Sequence, residues 1–248
     1  MMSLSKGLLV ALAGNPNTGK STVFNALTGL RQHTGNWPGK TVTLARGEFA
    51  WRGLRFTLVD LPGTYSLFPN SPDEEVTRDF ICFERPAATV VVTDATRLER
   101  NLNLVLQVLE LTPSVIVCLN LMDEARRLAL EVDTGLLAHE LAVPVVPCAA
   151  RRGEGLEELK EAILDVATGR AVPKPRRITY GAEVETAVAH LMPFLAPLIG
   201  RFNPRWLALR LLENDVALLA RLGYPAAQEV SPERRPSLEP GRVGAWLN

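Results

Sequence analysis

Apolar residues along this chain gather in short, nearly unbroken runs, and between the runs they recur with helical spacing. The first run, residues 7–13 (Gly-Leu-Leu-Val-Ala-Leu-Ala), has the length of a strand. Residues 21–27 follow with a helical pattern that Gly29 closes. Residues 30–40 are polar and broken by Gly and Pro, which predicts a loop. Residues 41–51 alternate as a strand, Arg52-Gly53 signals a turn, and 54–59 return as a second strand, so a hairpin is expected. A loop rich in Pro, Ser and Asn then runs to Pro72. Beyond it, 88–92, 115–119 and 143–146 read as strands, and 98–111, 121–130 and 155–167 as helices. Strands that are apolar at nearly every position, alternating with helices, predict a mostly parallel sheet covered on both faces, with its ligand edge at the strands' carboxyl ends.

The pattern changes after residue 169. Gly169-Arg170-Ala171-Val172-Pro173-Lys174-Pro175-Arg176-Arg177 is basic and punctuated by proline. It separates a first domain, 1–169, from a helical domain, 179–248, through a linker at 170–178. In the second part, 183–194 reads as a helix broken near Pro193 and Pro197. Asn203-Pro204 caps a further helix over 205–222 that ends at Gly223. No structure is assigned after about residue 224; 231–248 is rich in Pro, Gly and Arg.

Composition narrows the chemistry. The 248 residues, 47% hydrophobic, suffice for one large domain with a smaller companion. Lys plus Arg and Asp plus Glu balance at 27 each, which argues against a nucleic-acid partner. Cys82, Cys118 and Cys148 are far apart in sequence, the pattern of reduced thiols in an intracellular protein. Residues 1–6 are too short and polar for a signal peptide, and no apolar run approaches a membrane span, so a soluble unit is expected, whether whole or part of something larger.

The stretch that organises these elements is Gly14-Asn15-Pro16-Asn17-Thr18-Gly19-Lys20-Ser21-Thr22. It fits G-x-x-x-x-G-K-[ST] between a strand and a helix N-terminus, where backbone N–H groups converge on an anion. Lys20 then reaches the outer phosphates and the Ser21 hydroxyl binds Mg²⁺. Four further segments fall where a guanine-nucleotide switch needs them. Asp60-Leu61-Pro62-Gly63 ends a strand, offering a carboxylate to Mg²⁺ and the Gly63 N–H to a γ-phosphate. Gly39-Lys40-Thr41-Val42-Thr43 ends the preceding loop, with Thr41 placed to join Mg²⁺ only when a γ-phosphate is present. Asn120-Leu121-Met122-Asp123 ends another strand; its aspartate can accept two hydrogen bonds from guanine N1–H and N2–H₂ but would face only lone pairs and C–H on adenine. Cys148-Ala149-Ala150-Arg151 follows the last strand and offers a backbone N–H to guanine O6. GTP and GDP, rather than ATP, are the expected ligands. The expected fold is an α/β P-loop GTPase of Ras-like type, followed by a small all-α domain. Thr64 stands where many GTPases carry a water-orienting Gln, and Arg31 and Arg46 read as solvated rather than as fingers, so slow turnover is expected.

With these motifs in place, the chain resembles the cytosolic amino-terminal part of the bacterial ferrous-iron transport protein B family. The residues that carry the resemblance are 14–21, Gly35-Asn36-Trp37-Pro38-Gly39, 60–67, Asp94-Ala95-Thr96-Arg97-Leu98-Glu99-Arg100-Asn101-Leu102 and 205–213, within a span of about 8–223. The resemblance implies a GTPase domain joined to a helical domain that favours bound GDP, as a dissociation inhibitor would. Both would be tethered to a polytopic iron-transporting region at the cytoplasmic face of the bacterial inner membrane. It allows small cytosolic accessory proteins of the iron system and a homo-oligomer as partners. It also implies K⁺-stimulated hydrolysis, with K⁺ in place of an arginine finger and Asn17 as its ligand. Asn17, Lys20, Thr41 and Gly63 then make the catalytic group. Cys148-Ala149-Ala150 departs from the family's hydroxyl-rich segment, and Lys40 stands where a small apolar residue is common. The competing reading, a free-standing ribosome-assembly GTPase, calls for an appended basic RNA-binding domain, and residues 173–223 offer none. His33, Trp37 and Glu48 do not make an iron site by their pattern.

Overall fold

The first apolar run becomes the centre of the sheet, because a strand flanked on both sides and covered on both faces must be apolar throughout. β1 (Leu8–Gly14) lies parallel to β4 (Leu54–Asp60) on one side and to β5 (Ala88–Asp94) on the other. Outward from β5 come β6 (Val115–Asn120) and β7 (Val145–Pro147), both parallel; outward from β4 come β3 (Thr43–Trp51) and β2 (Gln32–Asn36), both antiparallel. The computed structural model describes residues 7–29, 32–37, 42–68, 71–198 and 203–213, with Asp215, Leu218 and Leu222 beyond them. Its sheet has the order β2-β3-β4-β1-β5-β6-β7.

Period-two alternation sends Val10 and Leu12 to one face and Ala11 and Ala13 to the other. The first pair packs with Phe24, Leu27, Leu159 and Ile163 from α1 (Lys20–Thr28) and α6 (Leu156–Ala167). The second packs with Val76, Leu104, Val105 and Val108 from α2 (Pro72–Asp79) and α3 (Leu98–Leu111). α4 (Met122–Arg127) and α5 (Thr134–Leu141) complete the sheet's far end. A separate cluster forms where α7 (Ala182–Leu191) meets α8 (Pro204–Leu212), around Val188, Trp206 and Leu207, and it reaches across to Cys82. All the cysteines are free and buried. Burial pushes the Cys82 thiol up to about 12 although Arg78 and Arg210 stand near it.

Several expectations need correction. Residues 32–36 form an edge strand instead of a loop, pairing His33 with Arg46 and Gly35 with Leu44. Its Gln-His-Thr-Gly-Asn sequence has no apolar face, so pairing comes from backbone hydrogen bonds to β3 rather than from burial. Residues 72–84 are helical. Ser71 accepts the Glu74 N–H at 3.3 Å, Pro72 opens α2, and three carboxylates occupy the first turn. A π-helical turn, Phe80–Glu84, continues it. α5 was not foreseen either; Asp133 caps it by accepting the Leu136 N–H at 2.8 Å. The helix expected over 121–130 stops at Arg127, with Ala129 left-handed at φ 53°. The helix expected over 205–222 stops at Leu212. Asp215 instead accepts the Leu218 N–H at 3.0 Å, a new cap that breaks the helix. Gly223 and the tail lie outside the described residues.

That same Asp215 joins the helical part to the sheet domain. It accepts from Arg78 of α2 at 2.7 Å, and Asp79 takes the other edge of the guanidinium at 3.0 Å. The Arg78 and Asp215 side chains are 1% and 3% exposed. Removing one partner of a buried pair leaves an uncompensated charge, which typically costs about 3–5 kcal/mol. Arg78→Ala is therefore expected to lower unfolding free energy in a urea titration by about that amount. Asp215→Ala should then cost much less in the Arg78→Ala background than alone; equal, additive costs would show that the pair is not coupled.

Candidate functional site

The carboxyl ends of β1, β4, β6 and β7 lie along one edge of the sheet, and the phosphate loop crosses that edge into α1. Inside the loop the Thr18 hydroxyl donates to the Asn15 carbonyl at 2.9 Å, and Thr18 is 2% exposed. Gly19 is left-handed at φ 78°, and a Cβ there would lie 2.4 Å from the Asn120 side-chain nitrogen. Only glycine allows that approach. Asn17 is also left-handed, at φ 67°, which Asn tolerates, and its side chain is exposed at the loop's rim with Ser21 and Thr22.

Asn120 is the tie between loops. Its Nδ2 donates to the Thr18 carbonyl at 3.0 Å, and its Oδ1 accepts the Ala150 N–H at 3.0 Å. Leu121, left-handed at φ 62°, turns the chain so that Asn120 faces inward while Asp123 enters the first turn of α4, half-buried. The Met122 N–H donates to the Cys148 carbonyl at 3.1 Å and the Cys148 N–H to the Leu119 carbonyl at 2.8 Å, which fixes the segment after β7 against this turn. Cys148, Ala149 and Ala150 are buried and Arg151 is exposed. Of the segment expected to offer a backbone N–H to guanine O6, the Ala150 N–H is engaged by Asn120 and the Ala149 N–H donates to the Glu154 carbonyl at 3.1 Å.

On the phosphate side, Lys20 Nζ donates to Asp60 Oδ1 and, at 2.6 Å, to the Leu61 carbonyl. Burial pushes the Asp60 carboxyl up from its ordinary range, and the Lys20 ammonium beside it offsets part of that. The two line an open cleft of about 600 Å³ with Thr34, Val42, Thr43, Leu61 and Pro62. The hydroxyl of Ser21 and the carboxylate of Asp60 are hard oxygen donors of the kind Mg²⁺ takes, and the exposed Asn17 amide oxygen is one that K⁺ takes. Gly63 packs against Pro16, where an added Cβ would meet backbone at 3.4 Å, and the Thr64 N–H donates to the Gly14 carbonyl at 3.2 Å. The Thr64 hydroxyl donates to the Ser66 carbonyl at 2.6 Å, so it is committed locally. Gly39, Lys40, Thr41 and Arg31 lie outside the described residues. Trp37 is buried against Phe80, ring centroids 5.6 Å apart, and its N–H donates to the Val42 carbonyl at 2.8 Å.

The segment after β5 has a local use. Asp94 Oδ1 accepts from the Thr96 N–H at 2.8 Å and hydroxyl at 2.7 Å, and Asn101 Nδ2 donates to the Arg97 carbonyl at 2.7 Å. These bonds shape the turn into α3. Sequence reasoning missed the other side of α3. There Gln107 Oε1 accepts the Leu67 N–H at 2.6 Å, Asn103 Nδ2 approaches the Tyr65 carbonyl at 3.5 Å, and Arg100 stacks 4.6 Å from the Tyr65 ring. The signal was polar spacing at i, i+3 and i+7 beside the apolar stripe of that helix.

Sequence comparison agrees with the geometry. Residues 8–163 match the family described as Ferrous iron transport protein B, and 180–239 match the FeoB cytosolic helical domain. The Fe(2+) transporter FeoB of Salmonella typhi is 40% identical over 225 residues, covering 89% of this chain and 29% of the relative. That of Escherichia coli K12 is 40% identical over 222 residues, with 88% and 28% covered. The chain therefore spans under a third of the length of these curated relatives. Among solved structures, the cytosolic domain of T. maritima FeoB in its GDP form I has TM-score 0.82 and 39% identity, covering 93% of this chain and 89% of that one. Its GMPPNP form also has TM-score 0.82, at 38% identity, with 92% and 90% covered. An S. thermophilus NFeoB N11A variant bound to mGDP has TM-score 0.79 and 32% identity, with 89% and 84% covered. A mostly parallel P-loop sheet with its edge loops tied through Asn120, followed by the matched helical domain, makes this chain a member of the ferrous iron transport protein B family.

Proposed function

We propose that the chain is the GTP-binding, slowly hydrolysing regulatory part of a bacterial ferrous-iron transporter, stimulated by K⁺. The observation that carries this reading is the Asn120 tie, which holds the phosphate loop and the Ala150 segment in one frame beside Asp123. Relatives solved with GDP, GMPPNP and mGDP support it. In this reading the domain is 1–169, the linker 170–178, and 179–248 a helical domain favouring the GDP state. The remainder of the transporter is its membrane partner, with this part on the cytoplasmic side.

Backbone N–H groups of the phosphate loop and the α1 N-terminus take the phosphate oxygens. Lys20 exchanges its Asp60 contact for the β- and γ-phosphates. Ser21, Asp60 and, in the triphosphate state, Thr41 would hold Mg²⁺, which would supply neutralisation of phosphate charge. Gly63 N–H meets the γ-phosphate. Asp123 accepts from the guanine edge, and on adenine the half-buried carboxylate would lose both donors. Asn17, with backbone carbonyls at the end of β2 near Asn36 and Trp37, would hold K⁺, and K⁺ would supply the positive charge that an arginine finger supplies elsewhere. With Thr64 bonded to Ser66 and no glutamine in its place, intrinsic turnover is slow.

Two measurements follow from these roles. Titration of fluorescent nucleotides should give tight GDP and GTP binding and negligible ATP binding. Asp123→Asn should erase at least about a hundredfold of that preference, since two hydrogen bonds to a charged group are lost. Comparable ATP and GTP affinity in the unmodified protein would sink the assignment. GTP turnover should also be markedly faster in KCl than in NaCl at equal ionic strength. Asn17→Ala should abolish the difference with nucleotide affinity largely intact, whereas matching rates in the two salts for the unmodified protein would remove the K⁺ role.

A further inference from the structure

We propose that the polar face of α3 made by Arg100, Asn103 and Gln107 is the seat that fixes the segment after Gly63, with Gln107 as the positioning residue. The inference rests on the reading of Gly63 as a γ-phosphate donor. At its near end the segment is pinned to the phosphate loop by the bond from Thr64 N–H to the Gly14 carbonyl, 3.2 Å. At its far end Leu67 is held twice. Its side chain, 4% exposed, sits in the apolar cluster with Leu104, Val105 and Val108 of α3. Its N–H donates to Gln107 Oε1 at 2.6 Å. The Gln107 Nε2 in turn lies 3.4 Å from Asn103 Oδ1, and Asn103 reaches back to the Tyr65 carbonyl.

Between the two pins the chain has little slack. The Thr64 hydroxyl is spent on the Ser66 carbonyl, and the Ser66 hydroxyl donates to Glu74 Oε1 at 2.7 Å. Gly63 is four residues from Leu67 and already in contact with Pro16. With Thr64, Ser66 and Leu67 all held, a shift of the far pin loads the Thr64 pin next to Gly63, whose N–H works only at hydrogen-bond distance from an outer phosphate oxygen. Such a bond distinguishes triphosphate from diphosphate, so loosening the seat acts on GTP turnover and spares GDP binding.

The test compares Gln107→Ala, which removes the acceptor, with Gln107→Glu, which keeps an oxygen for the Leu67 N–H. Turnover, KM for GTP and Kd for GDP are measured, with amide exchange over residues 64–68 in the GDP-bound protein. Gln107→Ala should lower kcat roughly 2- to 12-fold, the effect of one ordinary hydrogen bond, and speed exchange at the Leu67 amide. GDP affinity should stay within about twofold, a change smaller than one hydrogen bond contributes. Gln107→Glu should restore both turnover and protection. The proposal is overturned by unchanged exchange at Leu67, by kcat and GDP affinity falling together, or by Gln107→Glu behaving as Gln107→Ala. An unmodified protein without GTP turnover overturns the reading of the site and this proposal with it. Normal turnover that is indifferent to Gln107→Ala overturns this proposal alone.

Discussion

The site depends on one buried side-chain amide. Asn120 is 1% exposed, and both ends of its amide are used, one by the Thr18 carbonyl and the other by the Ala150 N–H. A buried amide without partners costs free energy comparable to the bonds it would make, so this residue either closes both contacts or destabilises the edge it sits on. Its position is set by β6, which is buried along its whole length, and by the left-handed turn at Leu121. Its closeness to the phosphate loop dictates glycine at position 19. Two loops 102 residues apart in sequence, at Thr18 and Asn120, are thereby held in one frame.

A second chain of contacts runs from that frame outward. β4 ends at Asp60, Gly63 follows three residues later, the 64–68 segment lies on α3, and α2 comes next. The Thr77 hydroxyl reaches back to the Pro62 carbonyl at 3.3 Å, and the next residue, Arg78, enters the buried pair with Asp215. Arg210 of α8 lies 5.0 Å from the Phe68 ring. The helical part therefore touches the same stretch that follows Gly63. A buried ion pair is weak evidence for net stability, but losing either partner leaves the other charge buried and uncompensated.

The phosphate loop, the Asp60-to-Gly63 and Asn120-to-Asp123 segments and the central strands were legible because each follows from local rules. Phosphate binding demands glycine at set spacing, and central parallel strands demand unbroken apolar runs. What escaped reading depends on distant partners or on polar stretches. β2 is held by backbone pairing to β3 and carries no apolar stripe. Ser71-Pro72-Asp73-Glu74-Glu75 is a helix start, yet its first two residues read as the end of a Pro- and Ser-rich loop and the polar residues after them carry no apolar stripe. Nothing local marks Asp215 as the partner of Arg78, and helical spacing alone carried the last helix through it. The site residues Asn120 and Ala150 were recognised as separate motifs, whereas their bond to each other is a fact of the fold.

The most direct test of this account is a calorimetric titration of GDP into the unmodified protein and into Asn120→Ala, with folding of both checked by circular dichroism. Loss of two hydrogen bonds that hold the frame should weaken GDP binding roughly 5- to 150-fold in a protein that still folds. A folded Asn120→Ala protein with unchanged GDP affinity would contradict the claim that this tie builds the nucleotide site.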